Sequence, residues 1–110
     1  MTREEAQGMI DKELTRAREA HTLGNEGKVR VCARRAAGVA ITFWLQSHET
    51  MKWGLDNMNQ LQSVVNEERI PQTVRDAAVR LTTKITEQST SPFSIDPVED
   101  GRILVEYFLT

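Results

Sequence analysis

Three arginines on a helix-forming segment are the residues of this chain best suited to bind a ligand. Arg30 and Arg34 lie four residues apart, so they share one helical face, and Arg35 lies further round. A guanidinium group forms paired hydrogen bonds with a phosphate or a carboxylate, so this cluster is a candidate anion site. The simpler alternative is ion pairing with acidic side chains, within the chain or across a dimer. Arg30, Arg34 and Arg35 are therefore our candidate ligand-binding residues.

The remaining residues give little support for catalysis or metal binding. His21 and His48 are the only histidines, and we expect one near a helix end and one in a linker, both in solvent. A metal centre needs further ligands, and a di-iron bundle needs Glu-x-x-His repeats that this sequence lacks. The one cysteine, Cys32, lies among apolar positions and is predicted to be a small buried side chain. We predict no catalytic residue, no metal and no cofactor.

Hydrophobic periodicity predicts five helices and no strand. Loops between these helices are short, which favours an all-α, up-and-down bundle of four to five helices in one domain, residues 1–110. Gly24 and Asn25 separate the first two helices, and Asp96 with Pro97 forms a strong start signal for the last one. In the loop at residues 88–95, Phe93 and Ile95 are predicted to pack against the bundle. The predicted helices cover residues 2–23, 26–47, 51–66, 71–87 and 96–110.

The second predicted helix has two different faces. One is a continuous apolar arc: Val29, Cys32, Ala33, Ala36, Ala37, Val39, Ala40, Phe43 and Trp44. Because its middle consists of small residues, a neighbouring helix can approach closely there. The opposite face mixes arginines with aliphatic residues, which predicts a second, partly covered surface that binds another copy of the chain. The predicted dimer interface comprises Val31, Arg34, Arg35, Gly38, Ile41 and Leu45.

Composition limits the partners that we expect. A hydrophobic fraction of 39% and a charged fraction of 27% are typical of a folded, soluble protein and not of a disordered one. The net charge of −2 argues against broad binding to DNA or to a membrane surface. No apolar run approaches the roughly 18 residues of a membrane helix, and the acidic N-terminal segment is unlike a signal peptide. We therefore expect a cytoplasmic protein.

The layout of the helices resembles that of the HEPN family (higher eukaryotes and prokaryotes nucleotide-binding domain). The similarity consists of a first amphipathic helix ending at residues 23–27, the alanine-rich helix closing on residues 43–45, a proline-started helix at residues 71–85, the Ser91-Pro92-Phe93 loop and the capped last helix. This resemblance implies a bundle that dimerises. It also implies links to RNA, to nucleotides or to a small nucleotidyltransferase partner.

One departure from the family concerns catalysis. Ribonuclease members carry an Arg-x4–6-His motif near the start of the last helix, but no histidine follows Arg102 here. An Arg-x4-His spacing does occur at Arg16 and His21, on the first helix, where the two side chains do not share a face. We therefore predict a small, dimeric, HEPN-like binding module without enzymatic activity. The alternatives are a HEPN-type ribonuclease with a displaced active site, which would use His21 or His48 with arginines, and a toxin–antitoxin component.

Overall fold

The computed structural model describes residues 1–84 and 96–110, which form an all-α bundle, as predicted. Within these two ranges there are five helices and no strand, and no helix is both long enough and apolar enough to cross a membrane. The predicted end of the fourth helix at residues 85–87 and the predicted loop at 88–95, with Phe93 and Ile95, lie outside the described residues. The helices are α1 (Arg3–Thr22), α2 (Glu26–Leu45), α3 (Asn57–Asn66), α4 (Gln72–Thr82) and α5 (Pro97–Leu109).

Two of the predicted helix boundaries rest on local chemistry that the structure confirms. Gly24 has a φ of 73°, a left-handed conformation that costs glycine little, and it ends α1. The side chain of Asn25 then accepts a hydrogen bond from a backbone N–H of the first turn of α2. At α5, Asp96 caps the helix in the same way and Pro97 occupies its first position.

The predicted start of α3 at Met51 is wrong. Asp56 caps this helix, with its carboxylate accepting a hydrogen bond from the Asn59 N–H at 2.9 Å, so α3 begins at Asn57. The preceding segment contains Gly54, whose φ of 74° is incompatible with a continuous helix. The side-chain amide of buried Gln60 donates one hydrogen bond to the Gly54 carbonyl and another to the Thr42 hydroxyl of α2, which together fix this turn against α2. Tertiary contacts therefore override the helical periodicity of residues 51–56.

The second helix is the centre of the bundle, because α2 packs against each of the other four helices. It runs antiparallel to α1. At one end of this pair, the amino group of Met1 donates a hydrogen bond to the side chain of Gln46 at 2.9 Å. At the other end, His21 and Glu26 are hydrogen-bonded at 3.0 Å. The apolar arc of α2 forms most of its contact with the core, as its periodicity predicts.

The small residues of α2 do permit a close helix approach, and α5 is the helix that makes it. Gly101 of α5 lies so near to Ala33 that a Cβ at this glycine would be 3.3 Å from the Ala33 carbonyl oxygen. Cys32, Ala36 and Ala37 of α2 are also almost fully buried. The prediction that Cys32 is a small buried side chain is therefore confirmed.

Candidate functional site

Two of the three candidate arginines are hydrogen-bonded to the end of α4. One terminal nitrogen of Arg30 donates to the carbonyl oxygens of Arg80 at 2.7 Å and Thr83 at 2.8 Å. Arg34 donates to the Leu81 carbonyl at 3.3 Å. The last carbonyls of a helix have no partner within the helix and carry partial negative charge, so guanidinium groups stabilise this end. Arg30 and Arg34 share a face, as predicted, but that face caps another helix of the same chain.

A buried ion pair extends this network from α4 to α5. Arg80 contacts the Asp100 carboxylate with two nitrogens, at 2.8 and 2.9 Å, and Asp100 is only 1% exposed. Burial raises the pKa of Asp100, and the nearby Arg80 opposes this shift without cancelling it. Burial and the neighbouring charge of Arg34 lower the pKa of Arg30. The arrangement joins α2, α4 and α5, which favours a structural role for Arg30 in place of ligand binding.

The face of α2 that we predicted as a dimer interface is largely covered within one chain. Ile41 has no exposed surface, and the side chain of Asn57 lies over Gly38. The physical reason is the short α3, whose first residue folds back onto α2. A partner copy that met this face would reach Arg35 but not Gly38 or Ile41. Of the predicted set, one member is exposed and the rest are buried or partly buried: Val31, Arg34, Arg35, Gly38, Ile41 and Leu45.

Arg35, the exposed member, lies in a surface groove between α1 and α2 with a volume of about 390 Å³. We call this the α1–α2 groove. Each wall is a stripe of residues at i, i+3, i+4 and i+7, the spacing of one helical face. Met1 and Asn57 complete the lining. The two stripes consist of Met9, Lys12, Glu13 and Arg16 on α1, and of Arg35, Gly38, Val39 and Thr42 on α2.

The α1–α2 groove carries excess positive charge although the whole chain is acidic. Lys12, Arg16 and Arg35 contribute three cations, whereas Glu13 contributes the one carboxylate of the lining. One oxygen of that carboxylate is 3.0 Å from Arg16, whose side chain is 55% exposed. Lys12 and Arg35 are exposed at the surface. Such a cluster attracts phosphate or carboxylate groups, because its cations are accessible from solvent and can form charge-assisted hydrogen bonds with an anion.

The lining of the groove includes a buried carboxylate oxygen. The second oxygen of Glu13 is buried, and no hydrogen-bond partner is found for it among the described residues. Glu13 also affects Cys32 behind it: burial raises the pKa of that thiol, and the negative charge of Glu13 raises it further. Cys32 is therefore a protonated, weakly reactive thiol and not a nucleophile.

A second groove, of about 380 Å³, lies between the end of α1 and the start of α5. It brings His21 together with Arg18 of α1 and Arg102 of α5. Arg16, the arginine of the Arg-x4-His spacing, lines the α1–α2 groove instead, so the prediction that it does not share a face with His21 agrees with the structure. Asp96 and Glu99 add two carboxylates, so this second groove is of mixed charge.

The other histidine is not in free solvent, contrary to our expectation. The His48 ring stacks on Trp44 with 3.8 Å between ring centroids, and its Nδ1 is 2.8 Å from the Trp44 carbonyl oxygen. Trp53 stacks on the same indole, with 5.2 Å between ring centroids. Among residues 1–84 and 96–110, no group of three His, Cys, Asp or Glu side chains is placed to hold a metal ion.

Sequence reasoning missed Lys12 and Arg16 as site residues. Their spacing of four on α1 was visible, and it marks one helical face. The pairing of that face with Arg35 depends on how α1 rotates against α2, which a single sequence does not specify.

Comparison with known proteins identifies no relative of this chain. No family model matches the chain, and no curated protein or solved structure shows significant similarity to it.

Proposed function

We propose that this chain is a small HEPN-like binding module without enzymatic activity, which recognises an anionic group at the α1–α2 groove. The observation that carries this proposal is the convergence of Lys12, Arg16 and Arg35 around one carboxylate, in a chain whose net charge is −2. The groove replaces the Arg30–Arg34 face as the ligand site. Only Arg35 is common to both.

The HEPN resemblance supplies the remaining parts of the proposal. A member of this family would act as a homodimer in the cytoplasm, with RNA, a nucleotide or a small nucleotidyltransferase as partner. A dimer would have to use surface other than Gly38 and Ile41, since both are buried within one protomer. Leu23 and Leu55 are the most exposed large apolar side chains of the described residues, at 83% and 81%. They offer surface for such a contact.

Thermal unfolding with a panel of anions tests the proposed site. The probes are tripolyphosphate, ATP, a short RNA and a glutamate-rich peptide. A probe at about ten times its Kd adds roughly 1.4 kcal/mol of stability, which is several degrees of Tm in a chain of this size. We expect at least one probe to raise the Tm of the wild type and of the control Lys52→Gln, whose exposed lysine lines neither groove, but not that of Lys12→Gln/Arg35→Gln. If no probe acts, or if all three proteins respond alike, the proposal is wrong.

Native mass spectrometry of the purified protein tests the dimer. We expect a mass of two chains, together with a ratio of absorbance at 260 and 280 nm that shows whether nucleotide or RNA copurifies. A monomer at every concentration measured would rule out the dimeric part of the proposal. It would not bear on the proposed anion site in the α1–α2 groove.

A second candidate function is RNA cleavage, as a ribonuclease or a toxin component with a displaced active site. The observation that favours it is the second groove, where His21 lies with Arg18 and Arg102. A histidine can transfer protons to and from a phosphodiester whose charge the arginines stabilise. Loss of RNA cleavage in His21→Ala and Arg102→Gln, but not in His48→Ala, would support this function. Cleavage that is absent from the wild type, or unchanged in His21→Ala, would exclude it.

A further inference from the structure

We infer that the α1–α2 groove binds an acidic amphipathic helix of a partner protein. This inference rests on the proposed function and names the chemical class of the anionic partner. Two properties of the groove lead to it: its walls have the geometry that accepts a helix, and its lining combines exposed apolar surface with cations.

The walls of the groove run along two antiparallel helices. Both α1 and α2 are 20 residues long, and each presents a stripe with i, i+3, i+4 and i+7 spacing to the groove. Two such parallel ridges form a trough into which the side chains of a third helix fit. Helix-in-groove recognition uses this arrangement, with anchors of the partner repeating at the same spacing. The trough is closed at one side by Asn57 of α3.

One part of the groove is apolar and accessible. Met1 and Met9 are 40% and 49% exposed, and Val39 beside them is partly buried. Methionine side chains are flexible and polarisable, so they adapt to the apolar face of a partner helix. A compact, fully charged ligand would not cover this apolar surface. Covering these side chains supplies the apolar contribution to affinity.

The charged part of the groove selects acidic residues. Lys12 and Arg16 are one helical turn apart on α1, and Arg35 faces them from α2. Carboxylates on one edge of a partner helix can therefore meet several cations at once. The Glu13 carboxylate, by contrast, lies among these cations and opposes a dense polyphosphate. Charge complementarity thus favours spaced carboxylates over a nucleotide or an RNA backbone.

The experiment measures binding of a fluorescent helical peptide by anisotropy. The peptide has the length of α1, leucine at i, i+3, i+4 and i+7 on one face, and glutamate along the edges of that face. A matched control peptide has glutamine in place of every glutamate. Tripolyphosphate and a short single-stranded RNA compete for the site in separate titrations. All variants are first shown by circular dichroism and thermal melting to keep the wild-type fold, which we expect because the changed side chains are exposed.

We expect saturable binding of the acidic peptide and at least tenfold weaker binding of the glutamine peptide. Lys12→Gln/Arg35→Gln weakens binding by about tenfold, because each exposed ion pair contributes roughly a threefold factor. Met9→Ser weakens it by about fivefold through lost apolar contact. Lys52→Gln, which removes an exposed cation that lines neither groove, leaves the affinity unchanged. Raising the ionic strength from about 0.1 M to about 1 M weakens binding of the acidic peptide but not of the control peptide.

Three outcomes would overturn the inference. If the peptide binds equally to the wild type, to Lys12→Gln/Arg35→Gln and to Met9→Ser, its site is elsewhere. If tripolyphosphate or RNA binds in a way that requires Lys12 and Arg35 while the peptide does not bind, the proposed anion-binding module stands and its partner is not a helix. If no anionic probe depends on these cations, both the inference and the proposed function are wrong.

Discussion

The side-chain amide of Asn57 lies over the Cα of Gly38, in the space that a Cβ at this position would occupy. This contact seats the first residue of α3 on the middle of α2 and closes one side of the α1–α2 groove. Glycine at residue 38 therefore accommodates the Asn57 side chain, which any larger residue would have to displace. No second copy needs to be invoked to explain it.

Replacing Gly38 tests this relationship. We expect Gly38→Glu to lower the free energy of unfolding by about 1–3 kcal/mol, because the added side chain must displace Asn57 from a closely packed contact. Urea unfolding followed by circular dichroism measures the change. Gly8→Glu is the matched control, since a Cβ at that exposed helical glycine meets no atom within 4 Å. In the opposite result, Gly38→Glu would keep wild-type stability and only dissociate a dimer, and α2 would then be a partner surface after all.

The hydrogen bonds of Arg30 at the end of α4 predict a second stability effect. Arg30→Met removes the guanidinium group, so the carbonyls of Arg80 and Thr83 each lose a hydrogen bond from a charged donor. Since Arg30 is only 8% exposed, we expect a loss of about 3 kcal/mol in urea unfolding. Arg35→Met makes the same change at an exposed position of α2 and is expected to stay within about 0.5 kcal/mol of the wild type. Equal effects of the two substitutions would show that Arg30 does not hold α4.

Asp100 predicts a pH dependence with a definite sign. Burial raises the pKa of its carboxyl above the ordinary value of 3.8 in the folded chain, despite the opposing charge of Arg80. Between that value and the raised pKa, the folded state binds more protons at this site than the unfolded state. The contribution of Asp100 to stability is therefore greatest below pH 3.8 and falls as the pH rises through this window.

Comparison with Asp100→Asn isolates that contribution, because other carboxyl groups also titrate at acidic pH. The pKa of Glu5, for example, is lowered by its hydrogen bonds to Thr2, so its contribution to stability is lost as the pH falls. We expect the free energy of unfolding of the wild type, minus that of Asp100→Asn, to decrease as the pH rises from 3.8 through the raised pKa of Asp100. A difference that rises with pH would mean that the ion pair with Arg80 outweighs burial.

The environment of Cys32 predicts slow chemistry at this thiol. Cys32 is 1% exposed, and both burial and Glu13 raise its pKa, so the reactive thiolate is rare in the folded protein. We expect it to react with Ellman's reagent on the order of a hundredfold more slowly in buffer than in urea, at a rate set by opening of the bundle. Labelling at the same rate in both conditions would contradict the burial of α2 against α1 and α5.

Local signals in the sequence predicted most of the helix boundaries but not the contacts between distant helices. Gly24, Asn25 and Asp96 act through atoms a few residues away, so their roles can be read from their neighbours. The start of α3 was misplaced because buried Gln60 fixes the turn at Gly54 while its amide also bonds to Thr42 of α2, a tertiary contact.

In the candidate site, too, local features could be predicted from the sequence, whereas contacts between distant helices could not. The shared face of Arg30 and Arg34 was predictable from their spacing. Their partners were not, because the carbonyls that they meet lie about 50 residues further along the chain. Arg35, which was also predicted as a ligand-binding residue, is exposed and lines the α1–α2 groove. The residues of α1 that face Arg35 across the groove were not predictable, because they depend on how α1 is rotated about its axis against α2.

The approach of Gly101 to Ala33 has a consequence for how the chain is made. The small-residue face of α2 is synthesised well before α5, the helix that covers it. The α1–α2 pair can form from contacts near in sequence, which close quickly. Until α5 has been synthesised, however, this pair exposes an apolar surface, so the nascent chain is prone to aggregation or chaperone capture during that interval.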